Sequence, residues 1–479
     1  MADIASPLFD FAAEAGCYTD TVGQIREFAS HAAFRSAMVE ELVLDEDFHR
    51  RPVRPEDLSF IDFRQPAAAE TVTRLPFLAA QRLLLSINEL KIARLPRSPD
   101  PAAFAACSAF YGSRNQRLGA AIRPFLEAFS FDFLDRDVAV TGVAAEMTAH
   151  IANVVRTEAS RWGRIVASLD HADYLVDGLR FILIQNWSLA PSKRIALSGA
   201  QALGFFDVLP TDSRPSLTHD AYPDGGAAQL AQACGITRRE HSYWQFYLST
   251  SLASCNLLHC FAGRPDRALQ LCGAAFAAEA EWLAFGCLVG QGAARLGLAA
   301  ADLGGLDVDA AMQDLAGRFG RAVTAVAGHY GSHGLRQVAQ GLNATEVLGR
   351  SARQNLDAQL RWLASVERYR SIAQAIDARI QAERPDIDRE TFVEPREMCS
   401  TTHVHDDHRL VVIESGDMVF WGNLGMTLRL RQGEMVLVPQ GRLHGSSIES
   451  AECTYHQPII PDEWIEPLLN DAHRPFAAP

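Results

Sequence analysis

Three histidines near the C-terminus have the residue type and spacing of a metal site. His403 and His405 are separated by one residue in THVHDDHRLVV, so both side chains would point to the same face of an extended strand. The segment GEMVLVPQGRLH reads as a strand and a Pro-x-Gly turn, and its final residue, His444, can return to that face. Three neutral imidazoles suit Fe(II), Zn, Ni or Cu and leave coordination positions open for substrate and O₂. We therefore predict a mononuclear metal site here.

Two other histidines lie close to these ligands in the sequence. His408 projects either outward or toward the metal, as a further ligand or as a partner of one. His456, in CTYHQPII, is either a packed core histidine or a proton shuttle and substrate contact that faces the site. Both remain candidates for substrate contact or ligand support.

Carboxylates and histidines in a helical region form a second candidate site. Glu279 and Glu281 lie in the apolar helix LCGAAFAAEAEWLAFG, where a buried carboxylate is costly unless it is paired or bound to a cation. Because they are two positions apart, only one can face the interior, and we favour Glu279; Glu281 is a candidate for substrate or supporting contacts. In AGHYGSHGLRQ, His329 and His333 have the i, i+4 spacing that places two ligands on one helical face.

Two kinds of secondary structure must position these residues. From about residue 20 to 380 the apolar residues recur at helical spacing, with breaks at 94–104, 208–226 and 261–268. The charged, proline-containing segment ERPDIDRETFVEPRE indicates a linker. After residue 397, short β-branched and aromatic runs separated by Gly and Asn turns are typical of a small antiparallel barrel.

Composition limits the classes of function. The chain has 479 residues, 48% of them hydrophobic, and a formal net charge of −14, which disfavours nucleic acid and anionic lipid as partners. Nine cysteines without a CxxC pair indicate reduced thiols, and no uncharged apolar stretch reaches eighteen residues. We expect a cytoplasmic protein that does not span a membrane.

The C-terminal motifs resemble those of the cupin superfamily. HVH followed by ESG resembles the first cupin motif, and the second motif matches at each fixed position: Gly433, Pro439, Gly441 and His444. The usual fourth ligand, a glutamate four or five residues after the second histidine, is missing, because Arg409 and Leu410 stand there. The resemblance implies a cupin barrel that binds Fe(II) through His403, His405 and His444.

The helical motifs resemble those of the heme-oxygenase-like diiron oxidases. LCGAAFAAE resembles the run that carries one glutamate ligand, and His329, His333 and Arg336 follow the spacing of HxxxDxxH with two replacements. A further acid and histidine would fall in SLTHDAYPDGGAAQLAQACG, where His219 or Asp220 holds the acid position and Gln229 holds the histidine position. The resemblance implies a bundle whose candidate iron ligands are Glu279, His329, His333 and Asp220, with a working or an altered diiron centre.

The order of these parts resembles the multidomain N-nitrosating, N–N bond-forming metalloenzymes of the kind that acts in streptozocin biosynthesis. The resemblance implies a helical dimerisation segment (1–115), a heme-oxygenase-like bundle (116–385) and a cupin domain (386–479) in a homodimer. It implies that the bundle hydroxylates an arginine-derived guanidine, and that the cupin rearranges the product with O₂ to an N-nitroso compound. If the bundle is altered, a separate arginine hydroxylase acts upstream, and a diazeniumdiolate is an alternative product.

Two other functions are consistent with the motifs. One is a cupin dioxygenase or isomerase that acts on another small molecule, with a purely structural helical domain. The other is a non-enzymatic ligand sensor, which ranks last because the chain is acidic and has no evident basic recognition helix.

Overall fold

The structure is a computed structural model that describes residues 8–43, 49–55, 57–92, 95–135, 140–217, 224–237, 243–298, 307–396, 398–465 and 467. Within these ranges, helices occupy the N-terminal and middle parts of the chain and antiparallel strands occupy the C-terminal part. The predicted division into an α part and a β part is confirmed.

The N-terminal part combines helices with an irregular segment. Its helices are α1 (Phe11–Glu14), α2 (Tyr18–Ala29), α3 (Leu75–Glu89), α4 (Pro101–Phe110) and α5 (Ser113–Phe131). Proline favours the first turn of a helix, and α4 begins at Pro101 with the carboxylate of Asp100 as its N-cap. The described residues between α2 and α3 form only short 3₁₀ turns and loops, so the prediction of helix from about residue 20 onward is wrong there. Prolines at 52, 55 and 66 remove backbone donors that a helix would need.

The middle of the chain is a bundle around one buried helix. Its members are α6 (Ala144–His171), α7 (Leu175–Asn186), α8 (Ala190–Ala202), α9 (Asp224–Ala233), α10 (Ser249–Ala262), α11 (Ala268–Arg295), α12 (Val308–Ala364) and α13 (Val366–Glu383). The central helix α11 packs mainly on α6 and α12. Where α11 crosses α12, a Cβ atom on Gly341 would lie 1.9 Å from the carbonyl oxygen of Gln270, so the two backbones touch directly.

Helix α11 also explains an apolar stretch in the sequence. Residues Pro265–Arg295 are long and apolar enough to cross a membrane, with a mean hydropathy of 1.4 in the best window. However, 89% of that window is buried inside the protein. Its composition is therefore accounted for by its place at the centre of the bundle.

The C-terminal part consists of two antiparallel sheets. Their strands are β1 (Arg389–Pro395), β2 (His408–Ser415), β3 (Asp417–Asn423), β4 (Met426–Arg431), β5 (Met435–Val438), β6 (Gly445–Ile448) and β7 (Glu452–Ile460). One sheet has the order β1-β7-β2-β5 and the other β4-β3-β6. The linker prediction is wrong for residues 389–395, because they pair with β7 as an edge strand.

The N-terminal part packs directly on the C-terminal part. The hydroxyl of Ser36 lies 2.5 Å from that of Thr401, and the N–H of Leu75 donates to Asp406 over 3.0 Å. These contacts join segments more than 300 residues apart. The start of α3 therefore lies beside the segment that carries His403 and His405.

Candidate metal centre

His403 and His405 lie just before a strand rather than within one. Strand β2 begins at His408, and the preceding residues form an extended segment in which His403 makes an isolated antiparallel bridge with His444. The N–H of His403 donates to the carbonyl of His444 over 2.9 Å, and the reverse bond measures 3.1 Å. The segments that carry His403 and His444, 41 positions apart in the sequence, are thus paired through their backbones.

The three predicted ligands form one cluster. The ring centroid of His403 lies 4.9 Å from that of His405 and 4.5 Å from that of His444, and the third pair is 5.0 Å apart. One ring nitrogen from each side chain lies within 4.8 Å of the other two. In the part of the chain that the structure describes, this is the only group of three or more histidine, cysteine or acidic side chains close enough to hold a metal ion.

Backbone hydrogen bonds orient two of the rings. Nδ1 of His403 lies 3.0 Å from the carbonyl oxygen of Thr401, and Nδ1 of His444 lies 2.9 Å from that of Arg442. A carbonyl only accepts, so each Nδ1 carries the proton and each Nε2 keeps its lone pair. Nε2 of His405 is buried and has no hydrogen-bond partner among the described residues. A metal ion would provide a partner for the lone pair of such a buried nitrogen.

Burial keeps the cluster neutral. Burial lowers the pKa of His403, and holds the pKa values of His405 and His444 well below the ordinary histidine value. Mutual repulsion adds to the effect for His405 and His444, because a proton on one ring disfavours a proton on its neighbour. All three rings are therefore in the neutral form that binds metals.

Helical side chains hold both histidine-bearing segments in place. The guanidinium of Arg82, on α3, donates to the carbonyl oxygen and hydroxyl of Thr402 over 2.5 and 2.7 Å. Gln359, on α12, donates to the carbonyl of Leu443 over 2.9 Å and accepts from its N–H over 3.0 Å. Thr402 immediately precedes His403, and Leu443 immediately precedes His444.

The cluster opens on a cavity between the two sheets with a volume of about 330 Å³. Its apolar walls include Leu75, Phe392, Met418 and Phe420, and the ring of Phe420 stacks on that of His444 at 5.2 Å. Charged residues of the N-terminal part, Arg54 and Asp57, also line it. The sequence motifs do not reveal these two residues, since nothing in their local sequence relates them to residues 403–444.

His408 and His456 do not line this cavity. Nδ1 of His408 accepts the N–H of Gln440 over 3.1 Å, so His408 holds the turn between β5 and His444. Tyr455 and Gln457 line the cavity from β7. Since side chains alternate along a strand, His456 faces the opposite side, and the hypothesis that it faces the metal site is wrong.

The residues proposed for a second metal site are in different surroundings. Glu279 is fully buried, and its carboxylate is paired with the guanidinium of Arg318 and accepts the N–H of Ser216 over 3.2 Å. His329 and His333 are exposed and line a separate cleft. Asp220 and His219 lie outside the described residues.

The regular helical spacing expected between His329 and His333 is interrupted. Gly331 lies between them with φ 60° and ψ −150°, values that interrupt the helix. A left-handed φ is readily adopted by glycine, and it redirects the chain between the two histidines.

Glu281 lies in a second, smaller cavity of about 80 Å³ within the bundle, which Lys193, Arg353 and Glu158 also line. Burial, with a smaller contribution from the nearby acidic side chains, raises the pKa of Glu281 to about 7 against the opposing effect of Lys193 and Arg353. This carboxylate therefore lies away from the three-histidine cluster.

Fold and site together define a helical protein whose C-terminal antiparallel sheets carry a cluster of three neutral histidines at an internal cavity. The chain is similar to nitrosourea synthase from Streptomyces achromogenes subsp. streptozoticus, with 26% identity over 425 residues that cover 85% of this chain and 88% of that enzyme. No protein-family model matches the chain. The predicted resemblance is confirmed as a similarity to this enzyme that spans most of both chains.

Proposed function

We propose that His403, His405 and His444 bind one Fe(II) ion in a cupin domain, and that this site forms an N–N bond in an arginine-type guanidine. The observation that carries the proposal is the three-histidine cluster. Two of its rings are fixed by backbone carbonyls, and the third has a buried Nε2 that no described residue contacts by a hydrogen bond. The similarity to nitrosourea synthase supports the type of reaction.

The residues fit such an ion. Three neutral nitrogen ligands leave its positive charge uncompensated and its remaining coordination positions open. Iron bound there would supply the redox chemistry with O₂ that the side chains lack. The neutral state of the histidines and the orientation of their Nε2 atoms are the contribution of the chain itself.

The proposed reaction requires O₂ as well as the substrate in the cavity. Conversion of an N-hydroxyguanidine to an N-nitrosourea adds one oxygen atom and removes two hydrogen atoms. One O₂ balances this four-electron oxidation, because its second oxygen leaves as water. The apolar walls around the histidines limit the access of solvent water to the reacting nitrogens.

We further propose that the substrate arrives already N-hydroxylated, from a separate hydroxylase. The pairing of Glu279 with Arg318 supports this step, because a carboxylate neutralised by a guanidinium is a poor ligand for iron. The exposure of His329 and His333 gives further support. The N-nitroso compound and the diazeniumdiolate remain the two candidate products.

The test uses the full chain, loaded anaerobically with Fe(II), and N-hydroxy-L-arginine or L-arginine labelled with ¹⁵N in the guanidine. On exposure to O₂, only the hydroxylated compound should be consumed, and mass spectrometry should find two bonded ¹⁵N atoms in one product. The His444→Ala variant is the control and should give no product.

Two results would contradict the proposal in different ways. Conversion of L-arginine itself would show that the chain performs its own hydroxylation. An iron-loaded protein that consumes neither compound would favour the alternative of an oxygenase or isomerase with another substrate.

A further inference from the structure

The cavity beside the three histidines contains more acidic than basic side chains. Among the residues that the structure describes, five carboxylates and two guanidinium groups line it: Asp57, Glu390, Glu394, Asp406, Asp407, Arg54 and Arg409. This excess of negative charge favours a cationic ligand. The question is which carboxylate is available to bind it.

Internal partners engage most of these carboxylates. Arg54 donates to both oxygens of Asp57 over 2.8 and 2.9 Å, and Arg409 donates to Glu390 over 2.6 Å. Asp406 accepts the N–H of Leu75. Asp407 is half exposed at 3.8 Å from Arg409.

Glu394 differs from the others. Among the described residues no basic side chain forms an ion pair with it, and the hydroxyl of Tyr455 lies near its carboxylate. Burial and the neighbouring carboxylate raise the pKa of Tyr455, so the hydroxyl remains a donor. The carboxylate of Glu394 thus has one neutral donor beside it and keeps acceptor capacity toward the cavity.

The surroundings of Glu394 suit a planar cation. Glu394 and Phe392 are two residues apart on β1 and both line the cavity. The rings of Phe392 and Tyr455 stack with centroids 5.1 Å apart and an angle of 19° between their planes. A guanidinium can pair with a carboxylate through two N–H donors and stack on an aromatic face, which a compact ammonium does less well.

We propose that Glu394, oriented by Tyr455 and flanked by Phe392, is the residue that selects a guanidinium side chain at this site. The inference rests on the proposed function, since it assigns the substrate's cation to a particular carboxylate of the same cavity. It makes Glu394 the specificity-determining residue between a charged guanidinium and a neutral group of the same shape.

Isothermal titration calorimetry can test this without turnover. The full chain is loaded with Zn(II), which has no redox chemistry, and titrated with N-hydroxy-L-arginine, L-arginine and L-citrulline, whose neutral ureido group matches the guanidinium in shape. The wild type should bind L-arginine at least about tenfold more tightly than L-citrulline, as expected for one hydrogen-bonded charge pair. Glu394→Gln should reduce this ratio to about one, mainly by weakening the binding of L-arginine.

Two further variants make the result specific. Tyr455→Phe removes the orienting hydroxyl and should lower the ratio in part. Glu452→Gln changes an exposed carboxylate on β7 of the same sheet and should leave the ratio unchanged. A zinc content equal to that of the wild type shows that each variant retains the histidine cluster.

The outcomes separate this inference from the proposed function. If Glu394→Gln discriminates between L-arginine and L-citrulline as the wild type does, Glu394 does not select the cation, and the proposed function stands. If Glu394→Gln does not fold, the same result for Tyr455→Phe leads to the same conclusion. If the wild type binds the compounds without discrimination, the inference is likewise overturned. If the wild type binds none of the three, both the inference and the arginine-type function are wrong.

Discussion

Arg82 on α3 donates hydrogen bonds to both oxygen atoms of Thr402, the residue immediately before His403. Arg82 is almost fully buried, and burial lowers the pKa of its guanidinium to about 9. No carboxylate pairs with it within the described residues; its contacts are to Thr402, whose hydroxyl and N–H also bond to Gln245. A buried cation with such partners is costly to maintain, which points to a positioning role for the histidine segment.

Removal of the Arg82 side-chain charge should loosen the metal site. We expect Arg82→Met to weaken metal binding about 10-fold or more, because the Thr402 carbonyl and hydroxyl lose their donors and the His403 segment gains freedom. Competition with a chelator of known affinity measures this. The matched control is Arg379→Met, at an exposed ion pair on α13, and its metal affinity should equal that of the wild type. Equal affinities for wild type and Arg82→Met would show that the contact does not position the ligand.

Metal content should depend on the C-terminal histidines alone. Anaerobic reconstitution with Fe(II) should give about one iron per chain in the wild type and none in His403→Ala/His405→Ala, since two of three ligands are lost. His329→Ala/His333→Ala should retain the wild-type content. Elemental analysis makes the measurement, and a loss of iron in the second variant would restore the hypothesis of a metal site in the bundle.

The buried pair of Glu279 and Arg318 should matter for stability. Arg318→Met leaves the Glu279 carboxylate buried without its cation, and we expect the free energy of unfolding to fall by about 3–5 kcal/mol. Arg321→Met, three residues further on, removes an exposed partner of Asp212 and should cost less than about 1 kcal/mol. Urea denaturation followed by circular dichroism compares them. Equal midpoints for the two variants would contradict a structural role for the buried pair.

Stability should also depend on pH through Glu281. Its pKa is about 7 in the folded chain and close to 4.5 when unfolded, so the folded state binds more protons between these values. Stability from this group therefore falls as pH rises from about 4.5 to 7, by up to about 3 kcal/mol. Glu281→Gln, which mimics the protonated acid, should match the wild type at pH 5 and be more stable at pH 8. If the variant is not more stable than the wild type at pH 8, the carboxylate is not destabilising when ionised.

Prediction from sequence was best where a pattern is local. The spacing of His403 and His405, and the glycine, proline and histidine pattern that ends at His444, identified three side chains that the structure brings together. The β part after residue 397 was also predicted from its residue types, whereas β1, which begins before it, was not. The β-branched and aromatic run of Thr391, Phe392 and Val393 was an available signal for β1, but charge and proline in the same segment suggested a linker.

The sequence by itself determined the change from helices to strands and the identity of the three histidines, because side-chain direction within an element follows from its short-range periodicity. Only the tertiary structure decided what surrounds them. It placed Arg54 and Asp57 in the cavity, paired Glu279 with Arg318, left His329 and His333 exposed and gave Glu394 its aromatic neighbours. These relationships depend on how distant elements pack, and short-range patterns in a single sequence do not encode that packing.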